Sequence, residues 1–110
     1  MGLGFDDEHG GISDADAFHV FLAAVETAKA GSGGVHISLM IHTIGTPPIH
    51  HFAQPHIRDK VMPQIISGEK ISALAITEPS GGSDVAALQT KAIREGDFYL
   101  KKKKKTFITS

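Results

Sequence analysis

The nine residues Ile76-Thr77-Glu78-Pro79-Ser80-Gly81-Gly82-Ser83-Asp84 hold the densest set of groups able to do chemistry in this sequence. Thr77 and Ser83 carry hydroxyls and Glu78 and Asp84 carboxylates. Between them Pro79 fixes one backbone dihedral, while Gly81 and Gly82 permit positive φ and a close approach by something flat and bulky or by a phosphate. Ser83 and Asp84 resemble a helix N-cap, where free amide hydrogens can receive anionic oxygens. The apolar run Ile71, Ala73, Leu74, Ala75, Ile76 has strand length, so Thr77 falls where a strand leaves its sheet and exposes backbone.

Other chemical readings are weaker. Seven histidines invite a metal site, and His50-His51 with His56 is the nearest grouping. It lacks His-x-x-x-His spacing on a helix and a nearby carboxylate set, so no metal is expected. His36 and His42 lie on different faces of a helix and read as ordinary core or surface residues. Gly31-Ser32-Gly33-Gly34 has no following Lys-Ser/Thr and is no P-loop; it reads as a link between helices.

The turn at 76–84 resembles the signature of the flavin-dependent acyl-CoA dehydrogenase family, roughly [Leu/Val/Ile]-Thr-Glu-Pro-x-x-Gly-Ser-Asp. The resemblance extends through Gly68-Glu69-Lys70 before it and through Thr90-Lys91-Ala92, Gly96-Asp97, Tyr99-Leu100 and Thr106-Phe107-Ile108-Thr109 after it. It covers most of the chain but less than a third of a family member. It implies α,β-dehydrogenation of an acyl-CoA thioester, in which a base removes the α-proton and a hydride leaves the β-carbon for N5 of FAD.

The resemblance also implies site residues. Thr77 would offer a hydroxyl and amide to the isoalloxazine, and Leu74 and Ile76 would line its apolar side. Gly82 and Ser83 match the part of the loop that nears the cofactor phosphates and the thioester end of the substrate, so Ser83 is the candidate substrate contact. Thr109 matches the second flavin-contacting threonine, with Phe107 and Ile108 beside it and Phe107 near the ring. Glu78 and Asp84 are expected to fix the turn through backbone amides. On residue physics alone, Thr77 and Thr109 are sheet threonines and Phe107 is core. The family's catalytic glutamate has no match here, so no catalytic residue is expected and these 110 residues alone should be inactive. Implied partners are an acyl-CoA substrate, electron-transfer flavoprotein or a similar acceptor, and copies of the parent in a homotetramer. An acyl-CoA oxidase or related flavoenzyme of the same fold, or a non-catalytic interaction module, is the alternative.

Those residues need elements to hold them. Helical spacing predicts an α-helix with Ala17, Phe18, Phe21, Leu22, Val25 and Ala28 on one stripe, capped by Ser13 or Asp14 and ended by Gly31. A second helix is expected over 35–44, so apolar that it should be buried on several sides. Thr46 before Pro47 and Pro48 suits an N-cap for a short helix through Phe52. Residues 55–66 offer Ile57, Val61, Ile65 and Ile66 as an inner face, with a break or kink at Pro63. After Gly68 the period changes, and short antiparallel strands are expected near 71–77, 90–95, 98–101 and 105–109, with Gly96-Asp97 as a turn. The fold class is therefore α+β: residues 1–70 as part of an N-terminal helical bundle, residues 71–110 as the start of a β-barrel-like middle domain.

Composition sets outer bounds. A 110-residue globule buries roughly 65% of its unfolded surface, yet the ends of this chain suggest a piece of something larger. With no cysteine, disulfides and thiolate metal sites are excluded and an intracellular setting is the default, cytoplasmic in bacteria or the mitochondrial matrix in eukaryotes. No apolar run is long enough to span a membrane, and no secretory signal is present. Five of the eleven basic residues lie in Lys101–Lys105, which leaves six against twelve acids elsewhere, an acidic body unsuited to nucleic acid. The lysine run occupies the place where the family has an Asn-Gly hairpin turn. Lysine resists positive φ at such positions, so strain or poor order is expected there.

Overall fold

The computed structural model describes residues 1–108 and contains four helices followed by a two-stranded antiparallel sheet. The described residues divide into two compact units, 1–73 and 74–108.

In the first unit, α1 spans Ala17–Ala28, α2 Gly33–Met40, α3 His42–Phe52 and α4 Pro55–Ile66. The cap of α1 is Asp16, in place of the expected Ser13 or Asp14. Asp16 Oδ1 accepts from Phe18 N at 2.9 Å and His19 N at 3.2 Å, and Asp16 N donates to His19 Nδ1 at 3.3 Å, a reciprocal capping box. Ser13 is already committed, since its amide and hydroxyl donate to the Asp7 carboxylate at 3.0 and 2.8 Å.

The helix expected over 35–44 is divided at Ile41 between α2 and α3. It is also not enclosed: Val35 is 48% exposed and Ile37 51%. Thr46 caps nothing. It sits inside α3, fully buried, with its Oγ1 2.7 Å from Ser72 Oγ, and His42 Nδ1 is 3.4 Å from that same serine oxygen. This three-residue polar contact ties α3 to the extended segment after α4. Gly45 makes the approach possible, because a Cβ there would lie 2.9 Å from Ala73 N and 3.0 Å from Ser72 C.

Pro55 starts α4 at a position where a missing amide hydrogen costs nothing. Pro63 does not break it, and the helix continues to Ile66. Of its expected inner face only Ile65 is fully buried, alongside Met62, while Ile57 is exposed. Met62 and Ile65 are the only fully enclosed large apolar side chains among the described residues. An open cavity of about 520 Å³ is bordered by Val20, Ala23, Leu39, Met40 and Pro47.

In the second unit, β1 (Lys91–Glu95) pairs with β2 (Phe98–Lys102) in a register running from Lys91 opposite Lys102 to Glu95 opposite Phe98, around the Gly96-Asp97 turn. Of the four expected strands, those near 90–95 and 98–101 form. Residues 71–77 and 105–108 form no ladder, because a strand exists only through a paired neighbour and none is present among the described residues. The strain expected in the lysine run falls on Lys103, held at φ 118 directly after β2.

Candidate cofactor and substrate site

Thr77 and its neighbours are held by a turn closed at both ends. Glu78 N donates to Gly81 O at 2.9 Å, and Gly81 N returns a bond to Glu78 O at 3.0 Å. Gly82 follows so close to Thr77 that a Cβ on it would meet Oγ1 at 3.1 Å and Cγ2 at 3.3 Å. A larger residue would push the threonine side chain from its place.

Glu78 anchors this turn. Its carboxylate is 4% exposed and accepts from Gln89 N at 2.9 Å, from Thr90 N at 2.9 Å and from the Thr90 hydroxyl, while Lys105 Nζ lies 3.0 Å away. The Thr90 hydroxyl, the Gln89 amide and the Lys105 ammonium together hold its pKa down to about 2, so it is ionised throughout the neutral range. Lys105 also donates to Ile76 O at 3.0 Å, gripping the chain on both sides of Thr77. The expectation that Glu78 fixes the turn thus gains named partners. For Asp84 the matching expectation does not hold: its side chain caps nothing, and only a single 3₁₀ turn, Val85–Ala87, follows it.

Thr106 N donates to Thr77 O at 3.0 Å, which brings the 105–108 segment beside the turn. Thr77, Ile76, Gly82 and Ile108 are half-buried there, whereas Ser83 and Leu74 are exposed. Phe107 is 93% exposed at φ 55, so the reading of it as a core residue is wrong; it projects an unpartnered aromatic face. Thr109 lies outside the described residues. Sequence reasoning missed Thr106, whose buried hydroxyl has no hydrogen-bond partner among the described residues, and the clamping role of Lys105. The one available signal for Lys105 was that, within the lysine run, it alone matches the lysine that ends the link after the hairpin in the resembled family.

Comparison with known proteins supplies the relationship. Residues 1–69 match the family profile "Acyl-CoA dehydrogenase, N-terminal domain". An acyl-CoA dehydrogenase of Bacillus subtilis is 37% identical over 111 aligned residues, which take in the whole of this chain and 29% of that protein. The crystal structure of a probable acyl-CoA dehydrogenase from Mycobacterium abscessus superimposes with a TM-score of 0.85 at 39% identity, over 97% of this chain and 28% of that one. An acyl-CoA dehydrogenase from Bacillus anthracis, solved in complex with FAD, gives 0.84 at 33% identity, over 97% of this chain and 18% of its own. Spanning less than a third of the length of these relatives, the chain belongs to the acyl-CoA dehydrogenase family.

Proposed function

We propose that the protein carrying this chain is an FAD-dependent acyl-CoA dehydrogenase. The observation that carries this reading is the clamped turn at 76–84, in a chain that matches the family along its whole length. The residues fit the demands of a flavin. Leu74, Ile76, Ile108 and the exposed Phe107 offer apolar surface, and the Thr77 hydroxyl makes no hydrogen bond to another described residue. The backbone at Gly81 is open, with nothing within 4 Å of where a Cβ would stand. FAD, when bound, supplies the hydride acceptor that no amino-acid side chain provides.

In this reading Thr77 donates from its hydroxyl and amide to the ring system, and its fixed position spares reorganisation as charge builds there. Gly82 and Ser83 receive the phosphate side of the cofactor and the thioester end of the acyl-CoA, with the Ser83 hydroxyl contacting substrate. Thr109 provides a second hydroxyl. The α-proton goes to a glutamate outside this chain, so these 110 residues bind and orient but do not turn over. Residues 1–70 belong to the helical domain and 71–110 begin the middle β-domain, in a parent that assembles as a tetramer and passes electrons to electron-transfer flavoprotein or a similar acceptor. No helix among the described residues is long and apolar enough to cross a membrane.

The test is made on the full-length protein. It should purify yellow and bleach when acyl-CoA is added, and Thr77→Val should slow bleaching while Ser83→Ala raises KM. A colourless protein that takes up no FAD, or a Thr77→Val variant as fast as the parent, overturns the reading. Oxygen uptake in place of acceptor reduction would make it an oxidase of the same fold.

A further inference from the structure

The 3₁₀ turn Asp7–His9, which precedes α1, buries a histidine among carboxylates. His9 is 5% exposed, and its Nε2 lies 3.1 Å from Asp59 Oδ1 on α4. On the opposite side of the ring, Nδ1 lies 3.5 Å from Asp6 Oδ2. That nitrogen is enclosed and has no hydrogen-bond partner among the described residues, and the same holds for His50 Nδ1, 3.7 Å from the same Asp6 oxygen. Glu8 Oε1 stands 3.9 Å from His9 Nε2. One donor atom each from Asp6, Glu8 and His9 can be chosen so that all lie within 4.8 Å of one another, the only such group among the described residues. It is not the His50, His51 and His56 grouping that the sequence brings to attention.

We propose that Asp6, Glu8 and His9 form a binding site for a divalent cation of the zinc class, with Asp59 orienting the His9 ring. When Nε2–H donates to Asp59, the enclosed Nδ1 carries a lone pair that faces an oxygen of the Asp6 carboxylate, itself 43% exposed. Two acceptors in that position repel, and a cation between them converts the repulsion into two bonds. Tetrahedral zinc holds nitrogen and oxygen ligands at about 2.0–2.2 Å, which sets ligand atoms roughly 3.3–3.6 Å apart. The 3.5 Å between Asp6 Oδ2 and His9 Nδ1 falls in that range. Glu8, 70% exposed on a flexible stem, has the freedom to swing in as the third ligand. The carboxylate on the far ring nitrogen is the arrangement that fixes tautomer and raises basicity in histidine metal sites.

The experiment is calorimetric titration of the full-length protein with zinc chloride alone, followed by the visible spectrum with cobalt in place of zinc. The expected result is one equivalent bound and cobalt bands typical of mixed nitrogen and oxygen ligation. Affinity should fall at least tenfold in His9→Gln and in Asp6→Asn, and about 10–100-fold in Asp59→Asn, the usual cost of losing such a supporting carboxylate. His19→Gln and His56→Gln should bind as the parent does. If circular dichroism shows His9→Gln unfolded, Glu8→Gln, at an exposed position, decides the matter. Absence of stoichiometric binding, or binding that survives both Asp6→Asn and Glu8→Gln, overturns the site.

Discussion

Gly45→Ala sets two effects of opposite sign against each other. Gly45 is the fourth residue of α3, and replacing a helical glycine by alanine ordinarily stabilises by about 1 kcal/mol through backbone entropy. Here the new Cβ would stand 2.9 Å from Ala73 N and about as near Ser72 C, at 3.0 Å. These are backbone atoms, unable to swing aside as the end of a side chain would. Overpacking of this kind costs about 1–3 kcal/mol, so the net effect is a loss of about 0–2 kcal/mol. Gly34→Ala is the matched control, since its Cβ would meet only Ser32 Oγ at 4.0 Å and α2 should gain up to about 1 kcal/mol. Thermal melts of the two variants at low protein concentration should place Gly45→Ala below Gly34→Ala. The gap is about 4–8 °C for each kcal/mol separating them. If Gly45→Ala melts at or above the control, the close packing of α3 on Ser72 and Ala73 is wrong.

Three further outcomes are expected. The Glu78 carboxyl is depressed from its ordinary 4.5 to about 2, so its contribution is fully present above 4.5 and is lost as pH falls from there towards 2; acid unfolding of Glu78→Gln, followed by circular dichroism, should lack that portion of the pH dependence, and identical acid limbs would contradict the clamp. Thr46→Val removes the shorter of the two buried contacts of Ser72 Oγ, leaving His42 Nδ1 at 3.4 Å, and should cost about 0.5–1.5 kcal/mol in urea unfolding; a double variant with Ser72→Ala that loses the full sum of the two single effects would show that the hydroxyls do not interact. Lys103→Gly relieves a positive φ and should slow hydrogen exchange of the β1 and β2 amides, whereas unchanged exchange would show that no strain is stored at Lys103.

What could be read from sequence follows the range of the forces involved. Apolar spacing announced α1 and α4, and Gly96-Asp97 announced the hairpin, because helix faces and two-residue turns are written within a few positions. The cap of α1 was misplaced because Ser13 is drawn to Asp7, a contact that helix-start chemistry does not report. Thr46 before two prolines has the form of a helix start, yet its partner is Ser72, 26 positions away. The partners of Glu78 lie 11, 12 and 27 residues on, and no local pattern could supply them. The run at 71–77 has strand chemistry without a strand, since pairing is a property of two segments and not of one.

Met62 and Ile65 have a consequence for anyone handling these residues in isolation. With so little hydrocarbon sealed from water, and with Phe18, Phe21, Phe52 and Tyr99 all facing solvent, cohesion has to come from further polypeptide laid against them. Left without it, the chain should associate as a sticky colloid: its scattering should climb with concentration, and mild detergent should quiet it before any change of ionic strength does.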